Sequence, residues 1–163
     1  MSKPKIEYIN PFIKSTIDSM KSMVFTDCER VGLFIKDSKK KSITGDISVM
    51  VSMFGTLKGV VVMSFSRKLA IHLVSSMLMD EGIDDFNDDV IDGIGEIGNL
   101  VAGTAKSQIV QSFGGSATIS IPTILSGSNH SIHHHNKIPC VGCVFNTSHG
   151  KFTVEVALTT EEN

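Results

Sequence analysis

The chain has 163 residues, 41% of them hydrophobic and 20% charged, with a formal net charge of −2. That length suits one domain burying roughly two thirds of its unfolded surface, and the charge excludes broad electrostatic attraction to nucleic acid or an anionic membrane. No apolar run reaches the length of a membrane span, the first residues lack a signal peptide's apolar core, and Cys28, Cys140 and Cys143 cannot all pair within one chain, so a cytoplasmic protein with reduced thiols is expected.

From Lys5 to about Met23, Ile6, Ile9, Ile13, Ile17 and Met20 recur at spacings of three and four, which predicts a helix with Pro11 tolerated near its start. Val31–Ile35 reads as a short strand. Asp46–Phe54 alternates, with Ile47, Val49, Val51 and Met53 on one face. Gly55–Gly59 reads as a hairpin turn, and Val60–Phe65 as the returning strand. A helix over Arg67 to about Met79 leads into an acidic linker, and a long helix follows from about Asp89 to Gln111. Ala117–Ile121 reads as a strand ending at Pro122. After a polar loop, Ile138–Asn146 and Lys151–Leu158 form a second hairpin around Thr147–Gly150.

Each half therefore runs helix, short strand, hairpin. This order predicts an internal duplication in a single domain over 1–163, with pseudo-repeats at about 5–66 and 89–160 and a connecting helix at about 67–80. The fold class expected is α+β, an antiparallel sheet of about six strands packed with long helices. Superposing Lys21-Ser-Met on Lys106-Ser-Gln sets an offset of about 85 residues and places Pro11 and Lys14 over Glu96 and Asn99.

The long helix divides its labour. At about 100° per residue, Asp92, Glu96, Asn99, Gly103 and Lys106 share one arc, and Ile94, Ile97, Val101, Ala105 and Ile109 lie on the other side. A carboxylate three residues from a carboxamide can pair with a cation and orient a water. Gly95 and Gly98 each weaken an isolated helix by roughly 1 kcal/mol against alanine, so a close approach by a neighbouring element is expected there. Asp80, Glu81, Asp84, Asp85, Asp88, Asp89, Asp92 and Glu96 follow one another without an intervening Lys or Arg. They read as solvated residues favoured by the helix dipole, or as a negative surface for a basic partner. In either case a free phosphate is disfavoured.

Three other patterns are weaker. His130-Ser-Ile-His-His-His135 with Cys140 and Cys143 resembles zinc-ligand spacing, but the odd separation of the two cysteines sends them to opposite faces of a strand, and a second cysteine pair is missing. Asp85, Asn87 and Asp89 with Glu96 imitate a calcium loop, but Val90 stands where the turn needs glycine. No serine sits in a nucleophile turn, and Cys28 has no predicted partner.

Asp92, Glu96 and Asn99 followed by Pro122, with the opening Tyr8-Ile-Asn-Pro-Phe-Ile-Lys-Ser-Thr16, resemble the CheC/CheX/FliY phosphatases of bacterial chemotaxis. The resemblance spans essentially the whole chain. One Glu/Asn pair rather than two is the CheX pattern. The resemblance implies hydrolysis of the aspartyl phosphate on the response regulator CheY, with Glu96 paired to the regulator's lysine and Asn99 orienting the attacking water. Asp92, Gly103 and Lys106 would touch the regulator. Mg²⁺ and the phosphoryl group would belong to that partner, so neither a cofactor nor a metal site is expected on this chain. A homodimer built by edge-strand pairing is also implied. The alternative is a catalytically silent module of the same kind that binds a response regulator or a flagellar switch component.

Overall fold

The computed structural model of the chain describes residues 6–36, 45–134 and 138–160. Lys5 and His135, included above in a helix and a histidine loop, lie outside the described residues. A 3-10 turn, Ile6–Tyr8, leads into α1 (Ile9–Met23); then come β1 (Glu29–Lys36), β2 (Gly45–Gly55), β3 (Leu57–Phe65), α2 (Arg67–Leu78), α3 (Asp88–Phe113), β4 (Ala117–Ile119), β5 (Thr123–His130), β6 (Cys140–Thr147) and β7 (Gly150–Thr160).

The three helices share one face of a seven-stranded antiparallel sheet, an α+β fold. The strand order β1-β6-β7-β3-β2-β4 is palindromic when β1, β2 and β3 are matched to β4, β6 and β7. β1 pairs with β6, and β4 pairs with β2, so each half's first strand lies against the other half's hairpin.

The polar loop expected after Pro122 is instead β5. It pairs with β2 along the edge that β4 also uses, so β4 and β5 form one edge strand interrupted at Pro122. A proline lacks the N–H for a ladder bond and is tolerated on an edge. Thr123–His130 is mostly exposed and places Ile124 alone against the core, so it lacks an apolar alternation. The first hairpin is also tighter than the spacing of its glycines predicts: β2 reaches Gly55, and β3 already starts at Leu57. Gly59 lies inside the strand with φ +147°, and a Cβ there would come within 2.0 Å of the Ala157 carbonyl oxygen.

The inward face of β2 is the row Ile47, Val49, Val51 and Met53, each no more than 1% exposed. α3 lies across it. A Cβ added at Gly98 would fall 2.6 Å from Val49 Cγ2 and 3.2 Å from Val49 Cβ, and one added at Gly93 would fall 2.6 Å from Val74 Cγ2 of α2. Glycine at these positions lets the helix axis approach both neighbours. Gly95, expected to serve the same purpose, has only ordinary contacts with Ile124 and Pro122.

Gly98→Ala is expected to lose about 1–3 kcal/mol of unfolding free energy by overpacking, despite the roughly 1 kcal/mol gain in helix propensity. Adding Val49→Ala should recover part of that loss, giving a non-additive cycle in denaturant titrations. A neutral Gly98→Ala would refute the close-contact account.

Candidate functional site

α3 begins where the Asn87 side chain accepts the Val90 N–H at 3.1 Å, and it ends at Gly114, whose N–H reaches the Val110 carbonyl at 2.9 Å. Asp88 and Asp89 occupy the first turn, where the helix dipole favours them. Val90, Ile94, Ile97, Val101, Ala102, Ala105 and Ile109 are fully buried. α1 packs alongside, and the buried Ser15 hydroxyl donates to the Val101 carbonyl at 2.9 Å. Sheet, α1 and α2 thus hold α3 and leave one arc facing outward. On that arc Asp92 and Glu96 are exposed, and Asn99, Gly103 and Lys106 are half-buried. Among the described residues, the side chains of Asp92, Glu96, Asn99 and Lys106 have no hydrogen-bond or ion-pair partner.

The interrupted edge strand borders this arc. Pro122 and Ile124 lie beside Gly95, and Ile119 beside Gly103. Ser120 fixes the break: its N–H donates to the Ser52 carbonyl at 2.9 Å and its hydroxyl accepts the Ser52 N–H at 3.0 Å. Ile121, held next to that anchor, is 85% exposed. Periodicity places Glu96 and Asn99 on one face but carries no signal that Pro122 lies beside Gly95 of the same helix. At the matching places of α1, Pro11 is half-buried and Lys14 pairs with Asp18 at 2.5 Å.

Two carboxylates of the acidic lead-in, Asp80 and Asp85, are committed to local structure. Asp80 accepts the Gly82 N–H at 2.9 Å. Asp85 accepts from the Phe86 N–H at 2.7 Å and the Arg67 guanidinium at 3.0 Å, and these two bonds hold its carboxyl below the usual range. Asn87 spends its side chain as the helix cap, and Asp89, Asp92 and Glu96 already stand on α3. The calcium-loop pattern therefore does not form a loop.

A second polar cluster lies on the other face of the sheet. Cys143 enters the helix-facing core, and Cys140 points the other way, as their spacing requires. Burial pushes the Cys143 thiol up to about 11. Burial, then the Glu155 charge, pushes Cys140 up to about 12. Glu155, 3% exposed, takes the Lys36 ammonium at 2.7 Å and His134 Nε2 at 2.8 Å on one oxygen. Lys36 also donates to the Ile132 carbonyl. Burial raises the Glu155 carboxyl, but the bonds from His134 and Lys36 outweigh it and hold the group below its ordinary 4.5. The sequence places Glu155 on the outward face of its strand, with no signal that this face is covered.

Lys36→Met leaves the Glu155 charge buried with one partner fewer. It is expected to cost about 3–5 kcal/mol, and adding Glu155→Gln should return most of it. Because the folded carboxyl lies below its unfolded value, its contribution is full above about pH 4.5 and fades as pH falls through the folded value. Unfolding free energies at pH 7 and pH 4 measure both effects; a Lys36→Met chain as stable as wild type at pH 7 would refute the pairing.

The family described as chemotaxis phosphatase CheX matches residues 47–146, a stretch that includes all of α3. A comparison with curated proteins finds no match. Among solved structures, a chemotaxis protein CheX from Desulfovibrio desulfuricans is 30% identical over 94% of this chain and 100% of its own, with a TM-score of 0.85. A chemotaxis protein CheX from Vibrio vulnificus is 27% identical, covering 94% of this chain and 99% of that one, at 0.85. A CheX–CheY–BeF3–Mg2+ complex from Borrelia burgdorferi shares the fold at 22% identity, 94% and 99% coverage and a TM-score of 0.77.

Proposed function

The chain belongs to the chemotaxis phosphatase CheX family, and from that premise we propose that it hydrolyses the aspartyl phosphate of a CheY-type response regulator, ending the signal to the flagellar motor. The observation that carries this reading is the outward arc of α3, where Glu96 and Asn99 stand without partners among the described residues on a helix packed on its other sides. The Borrelia burgdorferi CheX–CheY complex supports a CheY-type partner.

An aspartyl phosphate already reacts with water, so the enzyme's task is positioning rather than supplying a nucleophile. The Asn99 carboxamide can donate to a phosphoryl oxygen and accept from a water at once. The water's oxygen adds to phosphorus as the bond to the aspartyl oxygen breaks, releasing orthophosphate and the free carboxylate. Glu96 takes the regulator's lysine in a charge-assisted bond shielded at the interface. Asp92, Gly103 and Lys106 extend the contact surface along the same arc, and Mg²⁺ is the regulator's own. Ile121, exposed beside Pro122, supplies an apolar anchor at the rim.

The protein works in the cytoplasm as a homodimer. Among the described residues no helix is long and apolar enough to cross a membrane. β1 ends the sheet and carries exposed Val31, Leu33 and Ile35, which supports edge-to-edge pairing there. The palindromic strand order supports a duplication within a single domain.

Phosphate release from a phosphorylated CheY-type regulator tests the assignment. Asn99→Ala is expected to slow the catalysed step by about 100-fold or more while binding survives. Glu96→Ala should weaken binding and rate together. Equal rates for wild type and both variants would sink the catalytic assignment and leave a binding module.

Ile121→Ser is expected to raise KM about tenfold with kcat unchanged, as loss of an apolar anchor of modest size does. An unchanged KM would remove Ile121 from the interface.

A further inference from the structure

We propose that His134, Cys140 and Glu155 form a binding site for one zinc-class divalent cation on the sheet face opposite α3. Their ligand atoms, an imidazole nitrogen, a thiol sulfur and a carboxylate oxygen, all lie within 4.8 Å of one another. Bonds of about 2.0–2.3 Å to a tetrahedral ion place such atoms roughly 3–4 Å apart, so side-chain adjustments suffice to close the site. Mixed nitrogen, sulfur and oxygen donors favour zinc over magnesium or calcium, which take oxygen ligands. Cys140 and Glu155 are each 3% exposed and the His134 side chain 7%, so an ion here would be held away from bulk water. Three protein ligands leave a fourth position for water.

The pocket already holds a positive charge, because the Lys36 ammonium lies 2.7 Å from Glu155 Oε2. Lys36 is the last residue of β1, so its head group can swing away from the pocket without moving the ladder. Charge balances on exchange. The ammonium leaves the pocket, the Cys140 thiol gives up its proton to solvent as the metal–sulfur bond forms, and the two charges lost equal the two the cation brings. Metal uptake therefore releases a proton and tightens as pH rises. Cys143 takes no part, since it faces the core.

The test is a Co2+ titration of the metal-free full chain, without an affinity tag, followed by the thiolate-to-cobalt charge-transfer absorption. One saturating equivalent per chain is expected, displaced by Zn2+. Cys140→Ser should abolish the band, Cys143→Ser should retain it, and His134→Ala should weaken binding about tenfold or more. Zn2+ should also raise the thermal midpoint of the wild-type chain, a measurement that does not depend on any variant folding. Absence of a thiolate band in the wild type, or a band that survives Cys140→Ser, would overturn the site. Phosphatase activity is not the readout, so this outcome and that of the proposed reaction are separable.

Discussion

A methyl group cannot be added at Gly98 without meeting the branched side chain of Val49, and that contact sets the height of α3 above the sheet. Everything on the outward arc inherits it. With α3 seated on β2 and wedged against α2 at Gly93, Glu96 and Asn99 project from a scaffold with little freedom to tilt. The edge strand beside the arc is fixed to β2 as well, through Ser120 and Ser52. Helix and flanking strand are thus registered to the same strand. For the proposed reaction, which turns on positioning a water, a common reference of this kind matters more than the strength of any one bond.

Periodicity made the helices and hairpins legible because each has one buried face. Ile94, Ile97, Val101 and Ala105 in α3, and Ile47, Val49, Val51 and Met53 in β2, announce which side turns inward. β5 has no such row. Its backbone pairs with β2 while its side chains stay mostly in solvent, so hydrogen bonding rather than burial makes it a strand. Register was equally hidden. That β4 and β5 share one edge of β2, bringing Pro122 beside Gly95, depends on pairing between segments far apart in the chain.

Glu155 shows the same limit from the other direction. Alternation with Phe152, Val154 and Val156 fixes the side it faces, yet says nothing about whether that side meets water. Here Lys36 and His134 close over it, and Cys140 joins them from the neighbouring strand. The histidine-rich segment and the cysteine pair looked like two halves of a metal motif. The fold breaks that motif apart, sends Cys143 into the core, and substitutes a glutamate that no spacing rule would have chosen. The Glu96 and Asn99 arc, by contrast, needs only helix geometry to be assembled; on α3 Glu96 is exposed and Asn99 half-buried.

The exchange of first strands between the halves has a temporal consequence. β1 finds its ladder only on β6, which follows it by about a hundred residues, and until then Val31, Leu33 and Ile35 sit on a strand without a neighbour. During synthesis the N-terminal half cannot complete its share of the sheet from its own residues. Closing such distant pairings is entropically expensive before it is rewarded, which slows folding and lengthens the time a sticky edge is open. The interlock that makes the finished sheet a single body also makes the nascent N-terminal half dependent on strands synthesised about a hundred residues later.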